Sequence, residues 1–108
     1  MKKHEFEKSV VFNFLEKVKY SERGIVSKQV FKTEKGNVSL FAFDKGEGLS
    51  EHTAPFDAIV QVIDGKVKIT IGKENFNLNT GNAIIMPANI PHAVYALEKF
   101  KMILTMIR

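Results

Sequence analysis

The chain has no cysteine, which excludes disulfides, cysteine-ligated zinc, iron–sulfur clusters and thiol catalysis. It has no apolar run near the roughly 20 residues that a membrane-spanning helix requires, and its opening, MKKHEFEKSV, is charged where a signal peptide would be apolar. A cytoplasmic location with no membrane partner is the expectation. No arginine cluster or aromatic stacking platform accompanies the basic residues, which stand singly along the chain, as in Lys66 and Lys68 or Lys99 and Lys101. The net charge of +4 and pI near 9.4 thus describe a solvated surface, Lys28 and Lys66 included, and no nucleic-acid partner is expected. Internal repeats and low-complexity segments are also missing.

What is present is 108 residues with 44% hydrophobic content, enough for one core and too little for two. Residues Val10 to Lys19 mix apolar and polar positions without a period of two. They read as a short helix or an irregular arm covering the rest, with Ser9 as a candidate N-cap. Ser21 to Gly24 reads as a turn; Ile25, Val26, Val30 and Phe31 mark a first strand that ends in the polar stretch Thr33 to Asn37. Val38 to Asp44 is a second strand, and Lys45 to Ser50 a loop that delivers the chain to His52.

Asp64-Gly65 between two apolar runs is a strong signal for a two-residue hairpin. That hairpin would set Val62 opposite Val67, Val60 opposite Ile69 and Ala58 opposite Ile71. The face carrying these six residues must then be interior, while Gln61, Lys68, Ile59, Thr70 and Ile63 look outward. Gly72-Lys73 turns again, Phe76 to Leu78 is a short strand, and Ala83 to Met86 is a strand that must stop at Pro87. His92, Val94 and Ala96 share one face of the next strand. In the last strand, Phe100 to Ile107, Phe100, Met102, Leu104 and Met106 alternate with Lys101, Ile103, Thr105 and Ile107. Eight or nine short strands with frequent turns read as an all-β, closed or double-sheet barrel of the jelly-roll kind. Residues 1–24 would form an arm or short helix packed on a barrel domain of residues 25–108.

Two stretches, Gly46 to Gly65 and Gly81 to Ala96, each contribute one histidine, and together they resemble the paired signature motifs of the cupin superfamily. Gly46, five residues, His52 and a closing Gly65 match the first motif; Gly81, Pro87 and His92 match the second. The resemblance runs from about Val38 to the end and implies a cupin β-barrel, a double-stranded β-helix. It departs from the motifs at Ala54 for a second histidine, Ala58 for a glutamate, Asn89 for a glycine and Ala96 for an asparagine. Metal-holding cupins use three histidines and a glutamate, so two of four ligands remain. Catalytic metal sites generally need about three protein ligands. Asp57, Glu51 and Glu47 are candidate substitutes, although neighbours of inward residues tend to point outward. His4 could reach in only if the arm folds over the barrel mouth.

His52 and His92 are therefore the candidate ligand contacts and, as a two-ligand remnant, the candidate metal ligands. Met86, Met102 and Phe43 are candidate lining residues, and with Met106, Phe41 and Phe56 they serve first as core. The cofactor is either none or a weakly held divalent ion of iron, manganese, nickel or zinc. The expected role is binding of a small organic molecule near the two histidines. The rivals are a metal-dependent oxygenase or an isomerase-like enzyme, for which no carboxylate partner to the histidines is visible, and a ligand-sensing module, for which no DNA-binding segment is attached. The resemblance also implies a homodimer, with outward Ile59 and Ile63 and the first strand as interface material.

Overall fold

A computed structural model describes residues 5–108. One helical turn, α1 (Phe14–Lys17), precedes nine strands: β1 (Ile25–Thr33), β2 (Gly36–Phe43), β3 (Gly48–His52), β4 (Asp57–Asp64), β5 (Lys66–Ile71), β6 (Glu74–Asn79), β7 (Ala83–Met86), β8 (His92–Ala96) and β9 (Phe100–Ile107). They form two antiparallel sheets, ordered β1-β2-β9-β4-β7 and β3-β8-β5-β6. The fold is all-β, as expected. Among the described residues no helix is long and apolar enough to cross a membrane.

Between the sheets lies a core of Phe43, Val60, Val62, Val67, Ile69, Ala96, Phe100 and Met102, all essentially buried, with Ala58, Leu78, Met86 and Val94 close behind. Phe43 and Phe100 stack at 4.5 Å between ring centroids. Each strand contributes every second residue to this interior, which is why the expected inward set on β4 and β5 is the observed one, Ile71 being partly buried.

The pairing expected for those strands is overturned. β4 pairs with β7 and β9, and β5 pairs with β6 and β8, so Asp64-Gly65 is no hairpin turn but a crossing from one sheet to the other. The reason is visible at Gly65, whose φ is +90°. A Cβ there would stand 1.8 Å from the Lys99 carbonyl oxygen, so the chain passes tightly against the β8–β9 connection. Facing survives the error because alternation is a property of each strand alone, and both strands look into the same interior. The tight two-residue turn is instead Gly72-Lys73, which joins β5 to β6 with Ile71 opposite Glu74.

Other boundaries shift as well. β1 extends to Thr33, β2 begins at Gly36, β6 spans Glu74–Asn79, and the expected loop before His52 is a strand from Gly48. The helix is shorter than the Val10 to Lys19 reading allows. Its cap is Asn13, whose side chain accepts from the Leu15 N–H at 2.9 Å, whereas Ser9 has a φ of +63°, outside the extended conformation an N-cap adopts. The turn ends because Val18 becomes extended and sinks into a second apolar cluster on the outer face of the larger sheet. That cluster joins Val18, Leu40, Ala42 and Ile103, with Phe6, Phe14, Tyr20, Val26, Val30 and Val38 packed around it. Ile63, expected to look outward, is partly buried against it. The β4–β9 register slips between Val62 and Asp64, so Ile63 lies in an irregular stretch of its strand.

The segment is also held by polar contacts. Lys101 Nζ donates to the Leu15 carbonyl at 2.8 Å, Lys28 pairs with Glu5, and the Tyr20 hydroxyl donates to Asp64 Oδ2 at 2.5 Å. Burial first, and then the bond to the Asp64 carboxylate, push the Tyr20 phenol above its ordinary value of 10. Below about pH 10 both folded and unfolded chains keep the phenolic proton and the contribution to stability is complete; above it the unfolded chain loses the proton first, so stability falls as pH rises. Tyr20→Phe should cost about 1 kcal/mol at neutral pH and should flatten this alkaline loss. Thermal melts from pH 8 to about 11 test it; identical alkaline slopes in the two proteins would contradict it.

Candidate functional site

The β3 and β8 strands pair antiparallel, and their ends bring His52 opposite His92. Leu49 is opposite Val94, so two residues, Ser50 and Glu51, face the single residue Ala93. This is a β-bulge. In a regular strand His52, three residues on, would fall on the face opposite Leu49; the bulge absorbs the odd residue, so that both follow their inward-facing partners Val94 and His92. The bulge therefore aims His52 toward its partner. The two rings meet edge to face, 4.3 Å between centroids and 66° between planes.

Each ring is oriented by a backbone carbonyl two residues earlier. His52 Nδ1 lies 2.7 Å from the Ser50 oxygen and His92 Nδ1 lies 3.2 Å from the Ile90 oxygen. A carbonyl can only accept, so Nδ1 must carry the proton in both rings. In the neutral imidazole that leaves Nε2 as a free lone pair. The environments differ: His92 is buried at 8% exposure and stands opposite Ile71 on β5, whereas His52 is exposed. The expectation of two interior histidines is thus corrected for His52, which stands at the barrel mouth because β3 is an edge strand of its sheet.

The loops around the mouth are pinned to each other. The Ala88 N–H donates to Asp57 Oδ1 and the Asn89 N–H donates to the Ala54 carbonyl, at 2.9 and 2.8 Å. Asn89 has a φ of +64°, the left-handed conformation in which asparagine replaces glycine at least cost. The backbone therefore tolerates asparagine at that motif position.

The substitutions at the ligand positions bear on chemistry instead. Ala58 is buried on the interior face, where the resemblance implies a glutamate, and a methyl group offers a metal nothing. Of the proposed substitutes, Asp57 is engaged by Ala88, Glu51 sits in the exposed bulge, and Glu47 takes part through its backbone in the bonds to Asp44 and Ala96. Among the described residues no group of three histidine, cysteine, aspartate or glutamate side chains is placed to hold a metal. His4 lies outside them. The donor set does not fit the three-histidine, one-glutamate site that the fold family implies.

The lining candidates separate by depth. Phe43 and Met102 are sealed in the core around Phe100, and Met86, opposite Ala58, is buried nearer the mouth. One polar residue missing from the expected set belongs to the same interior. Asn37 is on β2, and alternation places it with Ser39, Phe41 and Phe43 while Val38, Leu40 and Ala42 turn to the outer cluster. It is missed when Thr33 to Asn37 is read as a polar turn; the alternating run Asn37 to Phe43 is the signal that finds it.

Residues 39–108 match the cupin domain family. The chain belongs to that family. Its fold is similar to a solved protein of unknown function from Streptococcus pyogenes, 31% identical, with a TM-score of 0.92 over 97% of this chain and 92% of that one. A cupin 2 conserved barrel domain protein from Leptotrichia buccalis is 40% identical with a TM-score of 0.86; it covers 90% of this chain, which spans 47% of that longer one. The structure of KdgF from Halomonas is 27% identical, with a TM-score of 0.71 over 83% and 84% of the two chains. An uncharacterized protein from Streptomyces coelicolor is 25% identical over 71 residues, 66% of this cupin and 68% of its own length.

The carbonyl contacts set a testable tautomer. In proton–nitrogen correlation spectra of the neutral imidazoles, His52 and His92 of this cupin should both carry the proton on Nδ1. A proton on Nε2 in either ring would contradict the arrangement.

Proposed function

We propose that this cupin binds a small organic molecule at the barrel mouth, held by the imidazoles of His52 and His92, and that it retains at most a weak metal site. The observation that carries the reading is the pairing of two rings whose Nδ1 atoms are tied to backbone carbonyls, leaving both Nε2 atoms free at one end of an apolar barrel. A few convergent polar groups over an apolar interior are what a small-molecule site requires. The same carbonyl contacts weigh against an enzyme with an activated histidine base, because the orienting partner is a neutral carbonyl in both cases, not a carboxylate that would stabilise an imidazolium.

For a metal, two neutral imidazoles supply two of the roughly three to four ligands that a tight transition-metal site uses. Calorimetric titration with Zn(II) or Ni(II) should therefore give binding no tighter than about micromolar, equivalent to about −8 kcal/mol, abolished by His52→Ala or His92→Ala. Nanomolar binding at one ion per chain, or binding indifferent to both substitutions, would sink the reading.

A further inference from the structure

Asn37 Oδ1 is the one buried side-chain nitrogen or oxygen among the described residues that has no hydrogen-bond partner. Buried polar groups are almost always paired, because an unpaired amide oxygen destabilises the fold that contains it. Its position in the barrel gives the orphan atom a use. β2 and β9 pair without a break from Gly36 opposite Ile107 to Phe43 opposite Phe100, so Asn37 sits opposite Met106 on the interior face. Met106 is also the partner of Ala58, which pairs in turn with Met86. All four therefore belong to one end of the larger sheet.

That end is also the histidine end. β4 runs from Asp57 to the crossing at Gly65, and β5 returns from Lys66 to Ile71, the partner of His92. Ile71 and His92 thus stand at the level of the start of β4, away from the Phe43–Phe100 stack. Ser39 follows Asn37 on the same face, and Gln29 of β1 is its cross-strand partner. The interior face of the larger sheet is polar at Asn37 and Ser39 and apolar farther down at Phe41 and Phe43, with the exposed Gln29 beside Ser39 on the edge strand β1.

We propose that Asn37 is the specificity-determining contact of the mouth, its Oδ1 accepting a hydrogen bond from a neutral, hydroxyl-bearing small molecule whose other hydroxyls donate to Nε2 of His52 and His92. The proposal rests on the reading of the mouth as a binding site. The ligand's chemistry follows from the three groups it would touch, the two Nε2 lone pairs and the Asn37 carboxamide, none of them charged. A carboxylate would set its lone pairs against the Asn37 oxygen and both neutral Nε2 atoms, with only the Asn37 amide N–H groups left to receive it. An ammonium group would find no carboxylate on the interior face, where β4 presents Ala58, while the neighbouring Asp57 is exposed and alternates to the other side. Hydroxyls satisfy all three acceptors at no electrostatic cost. Oδ1 is covered, so access requires a neighbour to move aside, and the half-buried Met106 thioether, with its three rotatable bonds, is suited to that.

The test titrates the isotope-labelled protein with glycerol, D-xylose and D-mannitol, and separately with glycolate and ethanolamine as charged comparators, following the His52 and His92 side-chain signals. The neutral polyols should shift both histidines and the Asn37 carboxamide. Asn37→Leu should weaken the tightest of them about tenfold while the melting temperature holds or rises, because the orphaned oxygen is gone; Asn37→Ala serves if the leucine variant fails to fold. Affinity that is kept, or lost only together with a fall in melting temperature, overturns the assignment to Asn37. Binding of glycolate or ethanolamine but not of the polyols overturns the ligand class while the mouth remains a binding site. If no compound moves the histidine signals, the binding reading itself falls, and this proposal with it.

Discussion

Burial of one apolar face from each of two sheets in a single shared interior governs everything else in this protein. Once Val60, Val62, Val67, Ile69, Phe100 and Met102 are committed to that interior, alternation decides the direction of every other side chain on their strands. It turns Leu40, Ala42 and Ile103 outward, where they would be an exposed apolar patch without cover. Residues of the N-terminal segment, Val18 foremost, supply the cover. The same alternation carries Ala58, Asn37 and His92 to one end of the interior, so the candidate site is a consequence of the core and needs no separate scaffold.

Where the site departs from regular geometry, the departure has a local cause. The bulge at Ser50 and Glu51 turns His52 to the side of its partner, and the carbonyls of Ser50 and Ile90 hold the two rings in one tautomer. Asn89 adopts the left-handed conformation that its loop needs. The barrel is thus intact at positions where backbone geometry is decided, while the buried Ala58 stands where the resemblance implies a glutamate.

How much of this was legible in the sequence depended on whether the information was local. β7, β8 and β9 can be bounded from residues alone, because Pro87 ends the apolar run of the first and alternation defines the other two. The inward set of β4 and β5 was readable for the same reason. Their partners were not, since Asp64-Gly65 has the composition of a hairpin turn and only the close approach to Lys99 shows that it is a crossing. The exposure of His52 is not legible because β3 reads as a loop, and no local pattern shows that it is the edge strand of its sheet. Asn37 is not legible because a polar residue beside Gly36 resembles a turn, and its face becomes clear only once β2 is extended through it.

The central claim is that the mouth of this cupin presents two free imidazole nitrogens to an organic molecule and not to a tightly held metal. The most direct measurement is elemental analysis of the freshly purified protein, combined with mass spectrometry of whatever it releases on denaturation. The account predicts far less than one metal ion per chain and a released hydroxyl-bearing compound that is lost from the His52→Ala, His92→Ala double variant. One metal ion per chain, retained through dialysis against a chelator and missing from that variant, would contradict it.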